Sequence, residues 1–332
     1  MIVFFLKRLI LLARVFKFLM PTAIRLSKEY LEVQYREVLA LDETSPRRAF
    51  EFNRLAALRQ KINPPTEQHL VNIQVDGLPM RANLCQQYCG DIYYGIGFEQ
   101  TELSLVKKFA QNNDTFFDVG ANIGVYTLLA SQLVGKGGQV HSFEPLSDAN
   151  ELLSSNVKLN QCENVTINPV AIGEENGEVE IYINAQNALS SLGNTNRGKI
   201  IKSQTVQILT LDTYAKGAGV SKIDFLKIDV EGFEGHVLRG AEKLIDASPD
   251  LIVMSELAKK NFTPLGFSVK DVLGWMRKHG FDIWMIGNQT LKLYPVSEEM
   301  VEYPFQNFLF IRPQNPKNYL VKEYSAVLQP AG

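Results

Sequence analysis

The segment FFDVGANIG, residues 116–124, carries an acid and two glycines at a spacing that could hold a small-molecule ligand. Its pattern predicts a buried strand, a turn and the start of an apolar helix. Gly120 lets the backbone turn sharply and approach a ligand, and Gly124 allows close helix contact. Asp118 before the turn, and Asn122 where a dinucleotide loop has another glycine, favour a ligand with an ammonium group over a diphosphate.

A second acid, Glu144, ends the predicted strand QVHSFE, 20 residues after Gly124. A carboxylate at the tip of the second strand of such a unit can accept both ribose hydroxyls of a nucleoside. The third predicted strand covers residues 165–172 and ends at Ala171 and Ile172. Small residues at that position could leave room for a flat base, although a plain turn explains them equally well.

The segment DFLKIDVEGFEGH, residues 224–236, predicts a fourth strand that leads into a helix. Asp229 and Glu231 are two residues apart, so on a strand their side chains would share a face. Two acids at the carboxyl end of a parallel strand are costly unless they bind a cation, a metal or a hydroxyl proton. The alternative is a pair of helix-capping carboxylates.

A hydroxyl acceptor would need a base, and four side chains near these strands are candidates. They are Asp229, Glu231, His236 and Glu256. His236 lies on the helix after the fourth strand, where a structural role is the alternative. Asp229, Glu231 and Glu256 could also hold a divalent ion, but we predict no metal site.

Strand and helix signals alternate over residues 115–311, which predicts a doubly wound α/β sheet. The dipeptide Asp76-Gly77 predicts a hairpin before it. The run Asn63-Pro64-Pro65 marks the best domain boundary. We therefore expect a helical extension over residues 1–70, a ligand-binding domain over residues 71–312 and a surface tail over residues 313–332.

The composition is that of an ordinary globular protein. The chain has 332 residues, of which 45% are hydrophobic and 21% charged, which excludes a disordered chain and a polytopic membrane protein. A net charge of −2 gives no support to a nucleic-acid partner. Cys85, Cys89 and Cys162 are too few for a disulfide framework and favour reduced thiols in a cytoplasmic protein.

The charge is unevenly distributed, since residues 1–28 carry six cations and no acid. Most of these cations fall near one stripe of a helix whose remaining surface is apolar. Such a helix could lie at the inner face of a membrane. Alternatively, its apolar face could pack on the protein or on a second copy in a homodimer.

Taken together, the segments FFDVGANIGVYTLLAS, VHSFEPLSDANELLSSN and DFLKIDVEGFEGHVLRGA resemble the FkbM family of S-adenosylmethionine-dependent methyltransferases. The resemblance spans roughly residues 85–312. It implies the class I methyltransferase fold, a Rossmann-like, mostly parallel sheet of seven strands, and O-methylation of a sugar, glycolipid or natural product. By position it implies cofactor contacts from Glu99, Asp118, Gly120, Asn122, Gly124, Glu144, Ala171, Ile172 and Asp229.

Two other functions remain open at this point. An NAD(P)-dependent oxidoreductase on a similar sheet would need a second phosphate-binding glycine, and Asn122 stands there instead. A non-catalytic scaffold that binds a membrane or a partner could keep the fold, but the retained Asp118, Glu144 and Asp229 argue against it. The expected cofactor is S-adenosylmethionine, and the expected partner is a small-molecule, glycan or lipid acceptor.

Overall fold

The computed structural model describes most of the chain after residue 68. The described ranges are residues 69–84, 86–93, 98–184, 191–192, 200–258, 268–287, 291–296 and 306–325, with a few positions between residues 30 and 54. The predicted basic arm, residues 1–28, and Cys85 lie outside them. Within these ranges no helix has the length and apolarity to cross a membrane.

The chain divides into two compact units, residues 1–98 with 185–188, and residues 99–184 with 189–332. The described part of the first unit is a hairpin of β1 (Leu70–Val75) and β2 (Leu78–Asn83), followed by α1 (Gln87–Tyr93). Asp76 and Gly77 form its turn with φ angles of 58° and 82°, which Asp tolerates and glycine favours. The predicted hairpin is confirmed, while the boundary near residue 70 stays a prediction.

The second unit alternates strands and helices. Its helices are α2 (Gln100–Phe109), α3 (Val125–Val134), α4 (Ser147–Leu159), α5 (Leu211–Ala218), α6 (Glu234–Arg239), α7 (Glu242–Asp246), α8 (Val269–Lys278) and α9 (Asn318–Tyr324). Its strands are β3 (Thr115–Val119), β4 (Gln139–Phe143), β5 (Val165–Asn168), β6 (Ala171–Ile172), β7 (Gly177–Asn184), β8 (Ser191–Leu192), β9 (Ile200–Leu209), β10 (Phe225–Ile228), β11 (Ile252–Leu257), β12 (Asp282–Ile286), β13 (Leu293–Pro295) and β14 (Gln306–Ile311).

The main sheet has the strand order β13-β12-β14-β11-β10-β3-β4-β5. The run from β11 to β5 is parallel, and β14, β12 and β13 pair antiparallel. The central strands are almost continuously apolar because helices cover both faces of a parallel sheet. The predicted mostly parallel sheet is confirmed. It has eight strands in the described part of the chain, because the short β13 extends its edge beside β12.

A second sheet corrects the predicted third strand. Residues 165–172 divide at Pro169: β5 joins the main sheet, whereas β6 joins a four-stranded sheet of order β6-β9-β7-β8. In this small sheet Ala171 and Ile172 pair with Ile208 and Leu209 of β9. Proline has no backbone N–H to donate to a ladder, which explains why the strand ends there.

Residues 313–325, the described part of the predicted surface tail, pack on the rest of the protein instead. Helix α9 buries Leu320 and Val321, and Asn315 is also buried. The Lys317 ammonium lies 2.9 Å from a carboxylate oxygen of Asp114. Polar composition suggested exposure, but this polar segment carries specific partners in the folded chain.

Candidate functional site

The turn after β3 can be built only with glycine at residue 120. Gly120 has a φ of 84°, and a Cβ there would lie 1.9 Å from the backbone oxygen of Asp229. The N–H groups of Gly120 and Ala121 both donate to the carbonyl of Phe143, which ties the turn to the end of β4. Gly124 has a φ of 95°, and its Cβ would lie 2.6 Å from a methyl of Leu153. The two glycines therefore allow close packing, of the turn on the segment after β10 and of the start of α3 on α4.

The Glu144 carboxylate lies against this turn, where the sequence predicted it. One of its oxygens accepts a hydrogen bond from the Asn122 N–H and the other from the Leu146 N–H, both at 2.9 Å. Burial raises the pKa of Glu144 to about 7, against the opposing effect of these two hydrogen bonds. Its position is fixed by backbone, so the carboxylate is held in one orientation at the strand tip.

Asp118 lies on β3 beneath the turn and is almost fully buried. Its carboxylate accepts a hydrogen bond of 2.6 Å from the Thr127 hydroxyl. Burial raises the pKa of Asp118 to about 6, while the Thr127 hydrogen bond and the charge of Lys227 lower it. Asp118 thus carries its charge only because neighbouring donors and a cation stabilise it.

Three carboxylates from distant parts of the chain meet at the ends of the central strands. Asp229 follows β10, Glu256 lies near the end of β11, and Glu99 directly precedes α2. One oxygen from each lies within 4.8 Å of the others, and we call these three side chains the carboxylate cluster. Such oxygen donors suit a hard cation or an ammonium group.

The surroundings make the carboxylate cluster electrostatically costly. Burial raises the pKa of Glu99 and of Glu256, and the charge of Asp229 adds to both shifts. The Tyr126 hydroxyl donates a hydrogen bond to Glu99. Lys227, on β10, has the opposite effect, since its positive charge lowers the pKa of Glu99 and of Glu256. Its ammonium lies 3.5 Å from a carboxylate oxygen of Asp229. The site therefore concentrates negative charge around one buried cation.

Sequence reasoning assigned no function to Lys227 and named Glu256 as one of several candidate bases and ion ligands. A lysine in the otherwise apolar strand FLKI was the available signal, because buried lysines are almost always paired. Glu102, one turn after Glu99, accepts a hydrogen bond of 2.8 Å from the Asn307 amide on β14. Asn307 itself pairs with Glu256 across β11 and β14.

Glu231 does not sit on a strand, which corrects the argument that it shares a strand face with Asp229. Strand β10 ends at Ile228, and Glu231 lies in a turn with a φ of 55°. It still approaches the cluster, because its charge contributes to the raised pKa of Glu256. Glu234, the first residue of α6, accepts hydrogen bonds from the N–H groups of Val230 and Gly232 in this turn.

His236 has a different set of contacts from the carboxylate cluster. Its Nδ1 lies 3.2 Å from a carboxylate oxygen of Glu174, and its ring stacks on Phe233 with centroids 4.0 Å apart. The predicted helix after the fourth strand is present but divided. Its two parts, α6 and α7, meet at Gly240, whose Cβ would lie 1.9 Å from the Gly173 oxygen.

Ala171 and Ile172 are both buried in the small sheet, at 3% and 2% exposure. Ile172 belongs to the same apolar cluster as Phe143, the residue before Glu144. Strand β6 thus packs into the same apolar cluster as the end of β4. This is the region where the sequence predicted room for a flat nucleobase.

The chain is similar to known methyltransferases. A family model described as the methyltransferase FkbM domain matches residues 118–283, half of the chain. The chain is 26% identical over 155 residues to the hexuronic acid methyltransferase AglP of Haloferax volcanii. That match covers 47% of this chain and 61% of the relative, so the chain spans about three-fifths of that protein's length.

Two solved structures are also similar. One is an S-adenosylmethionine-dependent O-methyltransferase from Thermotoga maritima, with a TM-score of 0.37, 14% identity and coverage of 73% of this chain and 77% of that one. The other is an rRNA methylase from Streptococcus thermophilus, with a TM-score of 0.38, 13% identity and coverage of 64% and 95%. The family match covers the β3 turn, Glu144 and the segment around Asp229. The chain belongs to the FkbM family of S-adenosylmethionine-dependent methyltransferases.

Proposed function

We propose that the protein transfers a methyl group from S-adenosylmethionine to a hydroxyl oxygen of a sugar-containing acceptor. The observation that carries this proposal is the carboxylate cluster of Glu99, Asp229 and Glu256 beside the glycine turn. Carboxylates can accept the proton that a hydroxyl must lose. The name of the AglP relative, a hexuronic acid methyltransferase, supports a sugar, with an acidic sugar as the first choice.

The residues at the turn fit the cofactor. Glycine at residue 120 lets the turn pack directly on the Asp229 carbonyl, which brings the turn and Asp229 side by side. We assign the ribose hydroxyls to Glu144 and the adenine to the region of Ala171 and Ile172. The methionine ammonium is assigned to the acids around Asp118 and Asp229, together with Glu99. The turn residues Asn122 and Gly124 shape the loop that receives the cofactor.

The chain's own contribution to the reaction is positioning and proton removal. S-adenosylmethionine supplies an electrophilic methyl group when bound. The protein must hold the acceptor oxygen in line with that methyl group, which is where much of the rate enhancement of such a displacement arises. We assign the base to Asp229, because it is the cluster member whose backbone packs directly against the glycine turn. Glu231 and Glu256 border the same space.

The test is methyl transfer from deuterium-labelled cofactor to uronic-acid glycosides, with the matching neutral glycosides as a second acceptor set. We expect mass spectrometry to find one labelled methyl group on the acceptor, retained after mild alkali. An ether of a hydroxyl survives that treatment, whereas a methyl ester of the uronic carboxylate is hydrolysed. Label that alkali releases, or no label on any glycoside, would contradict the proposal. The D229N variant, prepared in parallel, serves as the inactive control.

A further inference from the structure

Lys227 is the most deeply buried charged side chain near the site. It lies in the middle of β10, its exposed fraction is 1%, and its neighbours in that strand are Leu226 and Ile228. Its Nζ has no hydrogen-bond partner in the described part of the chain. Removing an ammonium from water to this extent costs several kcal/mol by order of magnitude unless opposite charge compensates it. The compensation must come from the groups that face it.

The groups that face Lys227 come from every element packed around that end of β10. They are Asp118 on β3, Asp229 after β10, Glu256 on β11, Glu99 just before α2 and the Tyr126 ring on α3, whose centroid is 4.9 Å from the ammonium. Burial lowers the pKa of Lys227, but the four carboxylates together raise it above its usual value. Lys227 therefore stays charged in the folded protein.

We propose that Lys227 is the internal counter-ion of the carboxylate cluster and a positioning residue for Asp229. It acts through charge, because its ammonium lies 3.5 Å from a carboxylate oxygen of Asp229 as an ion pair and has no hydrogen-bond partner among the described residues. This inference rests on the proposed function, which gives Asp229 its task. Without the ammonium, the facing carboxylates would repel one another at low dielectric and take up protons.

The competing explanation is that Lys227 only fills space beside Tyr126. The two explanations differ in what a second substitution does. Breaking a buried pair by removing one partner is strongly destabilising, whereas replacing both partners costs far less. A space-filling lysine would instead give additive losses, whatever happens to the charge of Asp229.

The experiment is a double-mutant cycle on the full-length protein without cofactor, followed by thermal unfolding. We expect K227M to lower the Tm by roughly 10 °C, and K227M/D229N to lower it by less than half as much. K227R, which keeps the charge, should have a Tm between those of wild type and K227M. The matched control is K317M, which breaks the Lys317–Asp114 pair in the same unit. The double variant K317M/D229N should lose as much Tm as the two single variants together.

A pH series adds a readout that packing would not move. The difference in Tm between K227M and wild type should shrink as the pH falls from 8 to 5.5, because the facing carboxylates become protonated. If K227M does not fold at neutral pH, the comparison starts at pH 5.5 and uses K227M/D229N. The proposal would be overturned if the losses of Tm in the cycle were additive, or if the difference in Tm between K227M and wild type did not change with pH. Both readouts use cofactor-free protein, so they stand apart from whether methyl transfer is found.

Discussion

The backbone oxygen of Asp229 occupies the place where a side chain at residue 120 would begin, 1.9 Å from the Cβ position of Gly120. The Asp229 N–H also donates to the Val119 carbonyl at 2.9 Å. The glycine turn and the backbone of the residue proposed as the base are thus in direct contact. This contact fixes where the Asp229 backbone lies relative to the turn, independently of any side-chain rotamer.

We expect G120A to unfold locally or globally and to lose cofactor binding. Alanine brings both an unfavourable φ and a collision with backbone that cannot move aside. The matched control is G280A, because Gly280 has a similar φ of 80° but open space around its Cβ position. That control should lose only about 1–2 kcal/mol of stability, which is the cost of placing a side chain in the left-handed conformation. Urea unfolding of both variants measures the difference, and equal losses would refute the steric argument.

We expect E144A to weaken S-adenosylmethionine binding by roughly thirtyfold. A hydrogen bond to a charged group contributes about 2 kcal/mol, and the substitution also frees the Asn122 N–H. Titration calorimetry of the wild type and the variant measures the effect. E151A removes an exposed carboxylate from α4 and should bind normally. Unchanged affinity in E144A would remove Glu144 from the cofactor site.

The stability of the cofactor-free protein should fall as the pH rises from about 4.5 to 7. Burial raises the pKa of Glu144 and Glu234 to about 7 and that of Asp118 to about 6. In this window the folded state keeps protons that the unfolded state has lost, so raising the pH favours unfolding. Each group contributes a slope of at most about 1.4 kcal/mol per pH unit.

The contribution of Glu234 can be isolated with E234Q, since glutamine mimics the protonated carboxyl. At pH 5 the variant should match wild type, and at pH 8 it should be more stable by up to about 3 kcal/mol. Urea unfolding at several pH values measures both. E151Q, at an exposed position, is the control and should follow the wild-type curve. If the free energy of unfolding of E234Q changes with pH in the same way as that of wild type, Glu234 does not titrate in this window.

Among the predicted bases, we expect D229N to lower kcat by at least a hundredfold and H236A to stay within about threefold of wild type. Proton transfer by a positioned base typically contributes a factor of about a hundred or more. His236 is instead engaged with Glu174 and Phe233. Steady-state rates with the glycoside that accepts the label measure both variants. A large loss in H236A with normal stability would return His236 to the reaction.

The sequence alone was sufficient for the local part of the site. The strand–turn–helix at Gly120, the acid at the tip of β4 and the hairpin at Asp76-Gly77 all followed from residue periodicity and turn chemistry. These features depend on neighbours within a few positions in the chain, so local pattern is enough to place them. The motifs also carried the family resemblance that the family match confirmed.

Only the tertiary structure brought Glu99, Asp229 and Glu256 together around Lys227. These residues are far apart in sequence, and their meeting depends on the parallel register of β3, β10 and β11 and on how α2 packs. The same holds for the turn at Glu231 and for the separation of β6 from β5. Strand register and burial are set by the whole core, so no local pattern encodes which charges share one low-dielectric space.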